Sequence, residues 1–374
     1  MKIIIIGTAY PLRGGIAHYN ALLAEELSKK HTVETITFKR QYPRLLFPGK
    51  TQEESGGEHH AAPAPQLVDS INPFNWLAVA RRIRTHTPDL LIFKYWLPFF
   101  GPCFGTIARF ATRGTHTKVL FICDNVIPHE HRLGDRPFTA FAFKQADYFI
   151  VQSASVERDL QLFWPHAAYR NVPHPIYHMF GAAIDKKVAR NALGIRAQHV
   201  LLFFGYVRAY KGLHVLLEAV ARIAPQLDLQ LLVVGEFYDD EQKYRRQITA
   251  LKLDHHVMLY PDYVANDAVS LYFSAADAVV LPYISATQSG IAQIAYNFNK
   301  PVIASDVGGL GEVVRDNMTG FLVPPNDPEA LANRIFAFYA ESKENVFASH
   351  VREEKQKYSW ENLSRSIEEL AGTR

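Results

Sequence analysis

The chain has 374 residues, of which 48% are hydrophobic and 21% charged, and its formal net charge is +3. This length suffices for two domains with separate cores, and the composition excludes disordered, collagen-like and disulfide-rich secreted proteins. Two cysteines, Cys103 and Cys123, make no disulfide framework, so a reducing cytoplasm is the expected location. The apolar start is too short for a signal peptide, and no apolar run reaches the roughly 18 residues that a membrane span requires.

The positive charge is concentrated in the first half of the chain. Residues 1–176 carry 20 Lys and Arg against 14 Asp and Glu, whereas residues 177–374 carry 20 against 23. Such an asymmetry fits an acidic partner, such as an anionic lipid surface or a phosphorylated acceptor, and it also fits chance.

The first segments predict a nucleotide-binding type of α/β domain. An apolar strand over Lys2–Ile6 ends at Gly7, and Gly14 and Gly15 precede a helix over residues 16–27. These glycines are too widely spaced for the G-x-G-x-x-G fingerprint, which disfavours an NAD-dependent enzyme.

The rest of the first half alternates strands and helices. Strands are predicted over residues 31–38, 89–93, 118–123 and 148–152, and helices over 75–85, 138–146 and 153–162. Residues 39–50 form a loop that mixes cations with aromatic and aliphatic side chains, and it is a candidate for contact with an anionic bilayer. The aromatic segment 95–100 fits either an acceptor-binding cleft or the core.

Polar and ionisable side chains follow the strand 118–123, beginning with Asp124 and Asn125 and continuing to His129 and Glu130. The carboxyl ends of strands in open α/β sheets are the usual place for chemistry. His129 is therefore a candidate catalytic group, and the alternative is a histidine that only pins the loop.

A stiff Val-Pro-His-Pro segment at 172–175 predicts a hinge, and a second α/β series follows it. Its strands are predicted over 199–203, 229–234, 256–260, 278–281, 301–304 and 320–323, with helices between them. The predicted fold class is α/β, with two Rossmann-like parallel-sheet domains. We place the first domain at 1–173 with a returning C-terminal helix at 359–374, and the second at 174–358.

The most informative segment runs from Phe204 to Leu213, between a buried strand and an amphipathic helix. Gly205 permits a sharp turn, and Arg208 and Lys211 stand at the mouth of the helix. Helix N-termini favour anions, so two added cations indicate a diphosphate ligand. The alternative is a surface turn with two solvated cations.

The pattern Gly205-x-x-Arg208-x-x-Lys211-Gly212 resembles the phosphate-binding turn of family 4 glycosyltransferases, which are retaining nucleotide-sugar enzymes of GT-B fold. The resemblance extends over nearly the whole chain. It implies that the two domains face each other across a cleft and that paired glycines such as Gly14 and Gly15 close on the donor phosphates. It also implies that the C-terminal helix returns to the first domain.

Two departures from the family pattern concern the site. The family usually has two glutamates eight positions apart, for the donor sugar and the ribose, where this chain has Thr287 and Ala295. The chain therefore has a different donor grip, in which Thr287, Gln288 and Ser289 hold the sugar, or it has lost catalysis. The second departure is in the first domain: many relatives have a histidine where Asp124 stands, so either Asp124 or His129 takes that role.

The resemblance implies further donor-binding residues in the second domain. They are Glu236 after the second strand, Tyr263 and Val264 near the base, and the helix-start segment Thr287, Gln288, Ser289 and Gly290.

We therefore predict a metal-independent, retaining glycosyltransferase of hexosyltransferase type, with Arg208, Lys211, Asp124 and His129 as catalytic residues. Its expected partners are a nucleotide-diphosphate sugar and a glycan or lipid-linked acceptor for polysaccharide biosynthesis, without a cofactor or nucleic acid. A peripheral contact with the inner face of the membrane fits the basic first half. The alternatives are a non-catalytic nucleotide-sugar-binding protein and, less favoured, a nucleotide-sugar epimerase.

Overall fold

The computed structural model describes residues 1–43, 63–126, 134–286 and 289–372. These residues form two compact units. The first contains the described residues up to 175 together with those from 358 onwards, and the second contains residues 176–357.

The first unit has seven strands and six helices in its described residues. Its strands are β1 (Lys2–Ile6), β2 (Thr32–Arg40), β3 (Gln66–Asp69), β4 (Leu90–Tyr95), β5 (Lys118–Cys123), β6 (Tyr148–Val151) and β7 (Tyr169–Asn171). Its helices are α1 (Gly15–Ser28), α2 (Pro73–His86), α3 (Gly101–Thr112), α4 (Asp135–Phe143), α5 (Ala154–Phe163) and the C-terminal α14 (Trp360–Leu370). A short 3-10 helix, Pro98–Phe100, precedes α3.

The seven strands form one parallel sheet in the order β3-β2-β1-β4-β5-β6-β7. The central strands are buried on both faces, which is why their sequences are continuous apolar runs without alternation. Residues of one face pack against α2, α3, α4 and α5, while alternate residues, such as Lys94, face α1.

The second unit repeats this plan with six strands and eight α-helices in its described residues. Its strands are β8 (His199–Phe204), β9 (Leu229–Val234), β10 (Val257–Tyr260), β11 (Ala278–Leu281), β12 (Val302–Ser305) and β13 (Gly320–Val323). Its helices are α6 (Lys186–Ala192), α7 (Leu213–Ile223), α8 (Glu241–Ala250), α9 (Asn266–Ala275), α10 (Gly290–Asn297), α11 (Leu310–Val313), α12 (Pro328–Ala340) and α13 (Lys343–Glu354).

The second sheet is also parallel, in the order β10-β9-β8-β11-β12-β13. Strand order reverses beside β8, so β8 and its neighbour β11 are separated in the chain but hydrogen-bonded in the sheet. Ligands bind at such switch points in open α/β sheets. The predicted class, two Rossmann-like parallel-sheet domains, is confirmed.

Some elements differ from the sequence prediction. Strand β4 continues through Lys94 and Tyr95, where the sequence placed its end at Phe93. Helices α3 and α6 and the edge strands β3 and β7 were not predicted. The two strands have only four and three residues, which are too few to show a period.

The aromatic segment after β4 is largely core. Tyr95 and Phe100 are fully buried and Trp96 nearly so. Phe100 and Trp96 lie in a cluster of ring contacts with Phe38 and Phe104, while the Tyr95 ring meets the core residues Phe121 and Phe143. Of the two predicted roles of this segment, acceptor binding or core packing, these three residues have the second.

Helix α14 packs within the first unit, where the Trp360 ring meets Tyr19 of α1 with centroids 5.1 Å apart. Ser359 caps its start by accepting the Asn362 N–H. Within the described ranges, every helix is too short or too polar to cross a lipid bilayer.

Candidate functional site

The turn after β8 forms the first candidate site, in the second unit. Gly205 has a φ of +95°, which favours glycine, and its N–H donates to the Val234 carbonyl at 2.9 Å. A Cβ built at Gly205 would lie 3.2 Å from the Lys211 Nζ. The missing side chain therefore leaves space beside the Lys211 ammonium.

Arg208 and Lys211 are held in different ways. Arg208 is exposed, and its guanidinium carbon lies 4.7 Å from the centroid of the Tyr238 ring. Lys211 is only 8% exposed, at the end of a single 3-10 turn, and its Nζ lies 5.7 Å from the centroid of the Tyr283 ring. No carboxylate among the described residues forms an ion pair with either cation.

Burial, followed by repulsion from Arg208, lowers the pKa of Lys211 to about 7. A buried ammonium without a counter-ion is costly unless a ligand supplies the negative charge. The site is therefore arranged to accept an anion.

The turn is locked to the segment that follows β11. Gly212 has a φ of +69°, and a Cβ there would lie 1.9 Å from the Pro282 carbonyl oxygen. The Ile284 N–H donates to the Tyr210 carbonyl at 2.7 Å. These contacts bring the loop before α10 beside the two cations.

Ser289 and Gly290 stand at the start of α10, as predicted. The Ser289 side chain makes no capping bond to α10, and its Oγ lies 3.4 Å from the Tyr283 hydroxyl. A Cβ at Gly290 would lie 3.2 Å from the Tyr177 ring. Thr287 and Gln288 lie outside the described residues. Ala295, in the second position of the usual family glutamate pair, is fully buried in α10.

The remaining donor-binding candidates of the second unit lie at the same sheet edge. Glu236 follows β9, is buried, and its carbonyl accepts the Val207 N–H at 2.9 Å. Tyr263 and Val264 are half-buried between β10 and α9.

The second candidate site lies at the carboxyl edge of the first sheet. Asp124 directly follows β5, and its N–H donates to the Tyr95 carbonyl at 2.8 Å. Its Oδ1 lies 2.6 Å from the Nζ of Lys94, which projects from the neighbouring strand β4. The Asp124 side chain is 21% exposed and that of Lys94 is 1% exposed, so only the carboxylate reaches solvent.

Among the residues that the structure describes, Lys94 has two further partners besides Asp124. Its Nζ also donates to Gln152 Oε1 at 3.2 Å and lies 3.5 Å from the centroid of the Tyr19 ring. Burial lowers the pKa of Lys94, and the Asp124 carboxylate opposes that effect. His174, packed edge-on against Tyr19, has a pKa lowered to about 4 by burial and by Lys94. An uncharged His174 adds no second positive charge to this pocket at neutral pH.

The other first-unit candidates are placed as follows. Gly14 has a φ of +111° at the N-cap of α1, with nothing within 4 Å of a built Cβ, and Gly15 is exposed. His129 lies outside the described residues.

Of the predicted bilayer-contact loop, Lys39 and Arg40 belong to strand β2, and two side chains are held by partners within the first unit. Arg40 is ion-paired with Asp69, and the Tyr42 hydroxyl accepts from Trp96 Nε1 at 2.9 Å. Arg44 to Lys50 lie outside the described residues. Lys39 is exposed.

Sequence reasoning missed Lys94, Tyr238 and Tyr283 as parts of these sites. Lys94 had a signal: it is the only charged residue in the otherwise apolar strand Leu90–Tyr95. Lone charges in buried strands need a partner. The two tyrosines carry no such signal, because each meets its cation only through tertiary contact.

The comparisons with known proteins agree with this geometry. A family model described as "Glycosyl transferases group 1" matches residues 198–341. The D-inositol 3-phosphate glycosyltransferase of Geodermatophilus obscurus is 32% identical over 350 residues, which cover 86% of this chain and 75% of that protein. The chain belongs to the group 1 glycosyltransferases. For two other curated relatives, the match spans about half of their length, 45% in each.

Solved structures place this group 1 family member among GT-B folds. Anabaena HepE, solved in complex with UDP-glucose, has a TM-score of 0.76 at 20% identity and is covered over 99% of both chains. Sucrose-phosphate synthase from Thermosynechococcus elongatus has a TM-score of 0.75 at 21% identity, over 99% of this chain and 98% of that one. The family resemblance read from the sequence is confirmed.

Proposed function

We propose that this chain transfers a hexose from a nucleotide-diphosphate sugar to a glycan or lipid-linked acceptor, with retention at the anomeric carbon. The observation that carries the proposal is Lys211, a buried ammonium beside Arg208 with no carboxylate partner among the described residues. A diphosphate supplies the missing negative charge.

The two cations act on the leaving group. When the bond between the anomeric carbon and the phosphate oxygen breaks, negative charge develops on the diphosphate. Arg208 and Lys211, held by Tyr238 and Tyr283, then stabilise that charge more than they stabilise the intact donor. This is the part that a divalent metal plays in other transferases, so we propose metal-independent transfer without a cofactor.

The acceptor hydroxyl attacks the anomeric carbon on the face that the phosphate leaves, and its proton passes to the departing phosphate oxygen or to a protein base. Front-face attack needs no protein nucleophile, so the absence of the family glutamates is compatible with activity. The sugar and phosphate contacts then come from the segment that starts α10: Thr287, Gln288, Ser289 and the Gly290 N–H.

In the first unit, we assign the role of the usual family histidine to Asp124, with His129 as the alternative. Lys94 is then a positioning residue: the 2.6 Å contact fixes the orientation of the Asp124 carboxylate, which remains partly open to solvent. A carboxylate can accept a hydrogen bond from a sugar hydroxyl or take its proton.

A lipid-linked acceptor would require the chain to work at a membrane. We therefore propose a cytoplasmic protein that is peripheral at the inner face of the membrane, in polysaccharide biosynthesis.

A thermal-shift panel of UDP-, GDP- and ADP-sugars tests the donor site, because a ligand that binds only the folded state raises the melting temperature. One nucleotide series should raise it, and Lys211→Ala should abolish that shift. If no nucleotide sugar shifts the melting temperature, the proposal fails. Binding without transfer or hydrolysis would favour a non-catalytic binding protein, and conversion of the donor sugar into an epimer would favour an epimerase.

A further inference from the structure

Helices α2, α3 and α4 form a strongly basic layer on one face of the first sheet. Together they carry five arginines and one carboxylate, that of Asp135. Arg113 and Lys144, the residues that follow α3 and α4, add two further cations. All seven cations are exposed: Arg81, Arg82, Arg84, Arg109, Arg113, Arg136 and Lys144.

The same layer exposes phenylalanine rings between these cations. Phe74 is 85% exposed, and three more rings are exposed by 36–42%: Phe110, Phe138 and Phe141. Exposed phenylalanine has no hydrogen-bonding group that water can satisfy, so four rings in one layer mark an interaction surface.

Helical spacing shows why these groups point outward. Val79, Ala80 and Ile83 bury one stripe of α2 against the sheet. Phe74 and Arg81 lie on the opposite side of the helix from that stripe, two turns apart. The outer face of α2 therefore carries both an aromatic ring, Phe74, and a cation, Arg81.

The three helices make this surface continuous. A Cβ built at Gly114, just beyond α3, would lie 3.8 Å from the Arg84 guanidinium of α2. Cβ atoms at Gly101 and Gly105 of α3 would meet Phe138 and Phe141 of α4, at 2.3–3.2 Å from the former and 2.6 Å from the latter. Glycine at these positions lets the backbone of α4 at Phe138 and the ring of Phe141 lie directly against α3.

The other face of the sheet has the opposite charge. Helices α1 and α14 carry five carboxylates and one arginine: Glu25, Glu26, Glu361, Glu368 and Glu369 against Arg365. Two lysines follow α1, Lys29 and Lys30, and they pair with Glu26 and Glu368, so five negative charges stand against three positive ones. The first unit is therefore polarised across its sheet, which would orient it in front of a charged surface.

We propose that the α2–α3–α4 face docks on an anionic lipid bilayer, with the phenylalanine rings at the acyl boundary and the cations among the headgroups. Charge complementarity selects an anionic surface, and the interleaved rings select one with an apolar layer beneath the charges. This surface extends the membrane contact proposed above, and it is tested without any measurement of sugar transfer.

Flotation of the full chain with vesicles provides the test, using phosphatidylcholine alone and phosphatidylcholine mixed with phosphatidylglycerol. The wild type should float only with the anionic vesicles, and added salt should release it. The double variant Arg81→Glu with Arg82→Glu should lower the bound fraction about tenfold or more, since each cation near such a surface contributes substantially.

A matched control lies on α8 of the second unit, where Arg245 and Arg246 are also adjacent surface arginines. Arg245→Glu with Arg246→Glu makes the same charge change outside the proposed face and should float like the wild type. Equal losses in the two double variants would overturn the proposal, because net charge alone would then explain binding. Should the Arg81 and Arg82 variant lose its folded circular-dichroism spectrum, Arg109→Glu on α3 replaces it.

The rings are tested by Phe74→Ser against Phe336→Ser, since Phe336 is 38% exposed on α12 of the second unit. Only Phe74→Ser should reduce flotation. If Phe74→Ser floats like the wild type while heparin displaces the protein from vesicles, the face binds polyanions in general and the bilayer assignment is wrong.

Discussion

Each unit buries one lysine at the carboxyl edge of its sheet, and the two lysines differ in their partners. Lys94 of the first unit has its own carboxylate, Asp124, at 2.6 Å, together with Gln152 and the Tyr19 ring. Lys211 of the second unit has an aromatic neighbour, Tyr283, and a second cation, Arg208. A buried ammonium that is paired internally shapes its partner, whereas one left without a counter-ion is prepared for a ligand.

The largest expected effect comes from removing Arg208 and Lys211, which have no carboxylate partner in the part of the chain that the structure describes. Arg208→Ala and Lys211→Ala should each raise the activation free energy by about 2–4 kcal/mol, because preorganised charge at the leaving group is lost. This corresponds to a decrease of kcat/KM by roughly 30- to 1000-fold. Steady-state kinetics with the donor found by thermal shift measures this. Arg222→Ala, an exposed arginine on the same α7, is the control and should keep wild-type turnover. Near-wild-type turnover in both Arg208→Ala and Lys211→Ala would contradict the proposed difference between the two lysines.

Lys94 should affect catalysis only through the Asp124 carboxylate with which it is paired. Asp124→Asn and Lys94→Met should each lower kcat by about 10²-fold with donor binding intact. The double variant should be as active as the less active of the two single variants, because both changes remove the same interaction. Lys94→Arg should restore part of the activity, because a guanidinium can keep the carboxylate paired.

If the decreases in kcat from Asp124→Asn and Lys94→Met multiply in the double variant, then Lys94 supports the fold and does not act through the Asp124 carboxylate. His129→Ala is made separately, since it carries the alternative assignment. A loss confined to His129→Ala, with Asp124→Asn as active as the wild type per folded molecule, would transfer the role to His129.

The contact that locks the Lys211 turn should matter for stability. Gly212→Ala adds a methyl group 1.9 Å from the Pro282 oxygen at a φ of +69°, so we expect a loss of more than about 2 kcal/mol in the free energy of unfolding. Gly194 has nearly the same φ, +68°, with open space around it. Gly194→Ala should therefore cost only about 1 kcal/mol. Urea unfolding of both variants compares them, and equal losses would show that the steric contact is unimportant.

The smallest effect is a pH dependence at Lys211, whose pKa in the free protein is lowered to about 7. Above pH 7 the Lys211 amine is mostly deprotonated in the folded protein, whereas in the unfolded chain it stays protonated up to its ordinary pKa of 10.5. The free energy of unfolding of the free protein should therefore increase as the pH rises from 7 towards 10.5.

A bound diphosphate favours the charged lysine, so donor binding above pH 7 should take up a proton. Affinity should then fall by up to about tenfold per pH unit above 7. Calorimetry of UDP-glucose binding in buffers of different ionisation enthalpy measures the uptake, with GDP- and ADP-glucose in parallel. Lys211→Arg should bind without proton uptake, since a guanidinium stays charged, and uptake by that variant would assign the proton to another group.

Much of the candidate donor site could be predicted from the sequence, because the residues that indicate it lie close together in the chain. Gly205, Arg208, Lys211 and Gly212 lie within eight residues, between an apolar strand and an amphipathic helix. The conformational freedom of glycine and the period of each element are properties of short segments, so the turn, its cations and the parallel α/β order were all predictable.

Tertiary structure decided which charges meet. Lys94 and Asp124 are 30 positions apart, and they touch because β4 and β5 are adjacent, with Lys94 in register with Ile122. Likewise, the tyrosines beside Arg208 and Lys211 come from the segments after β9 and β11. Strand order and register set these neighbours, and both result from the packing of whole sheets, which no short segment encodes by itself.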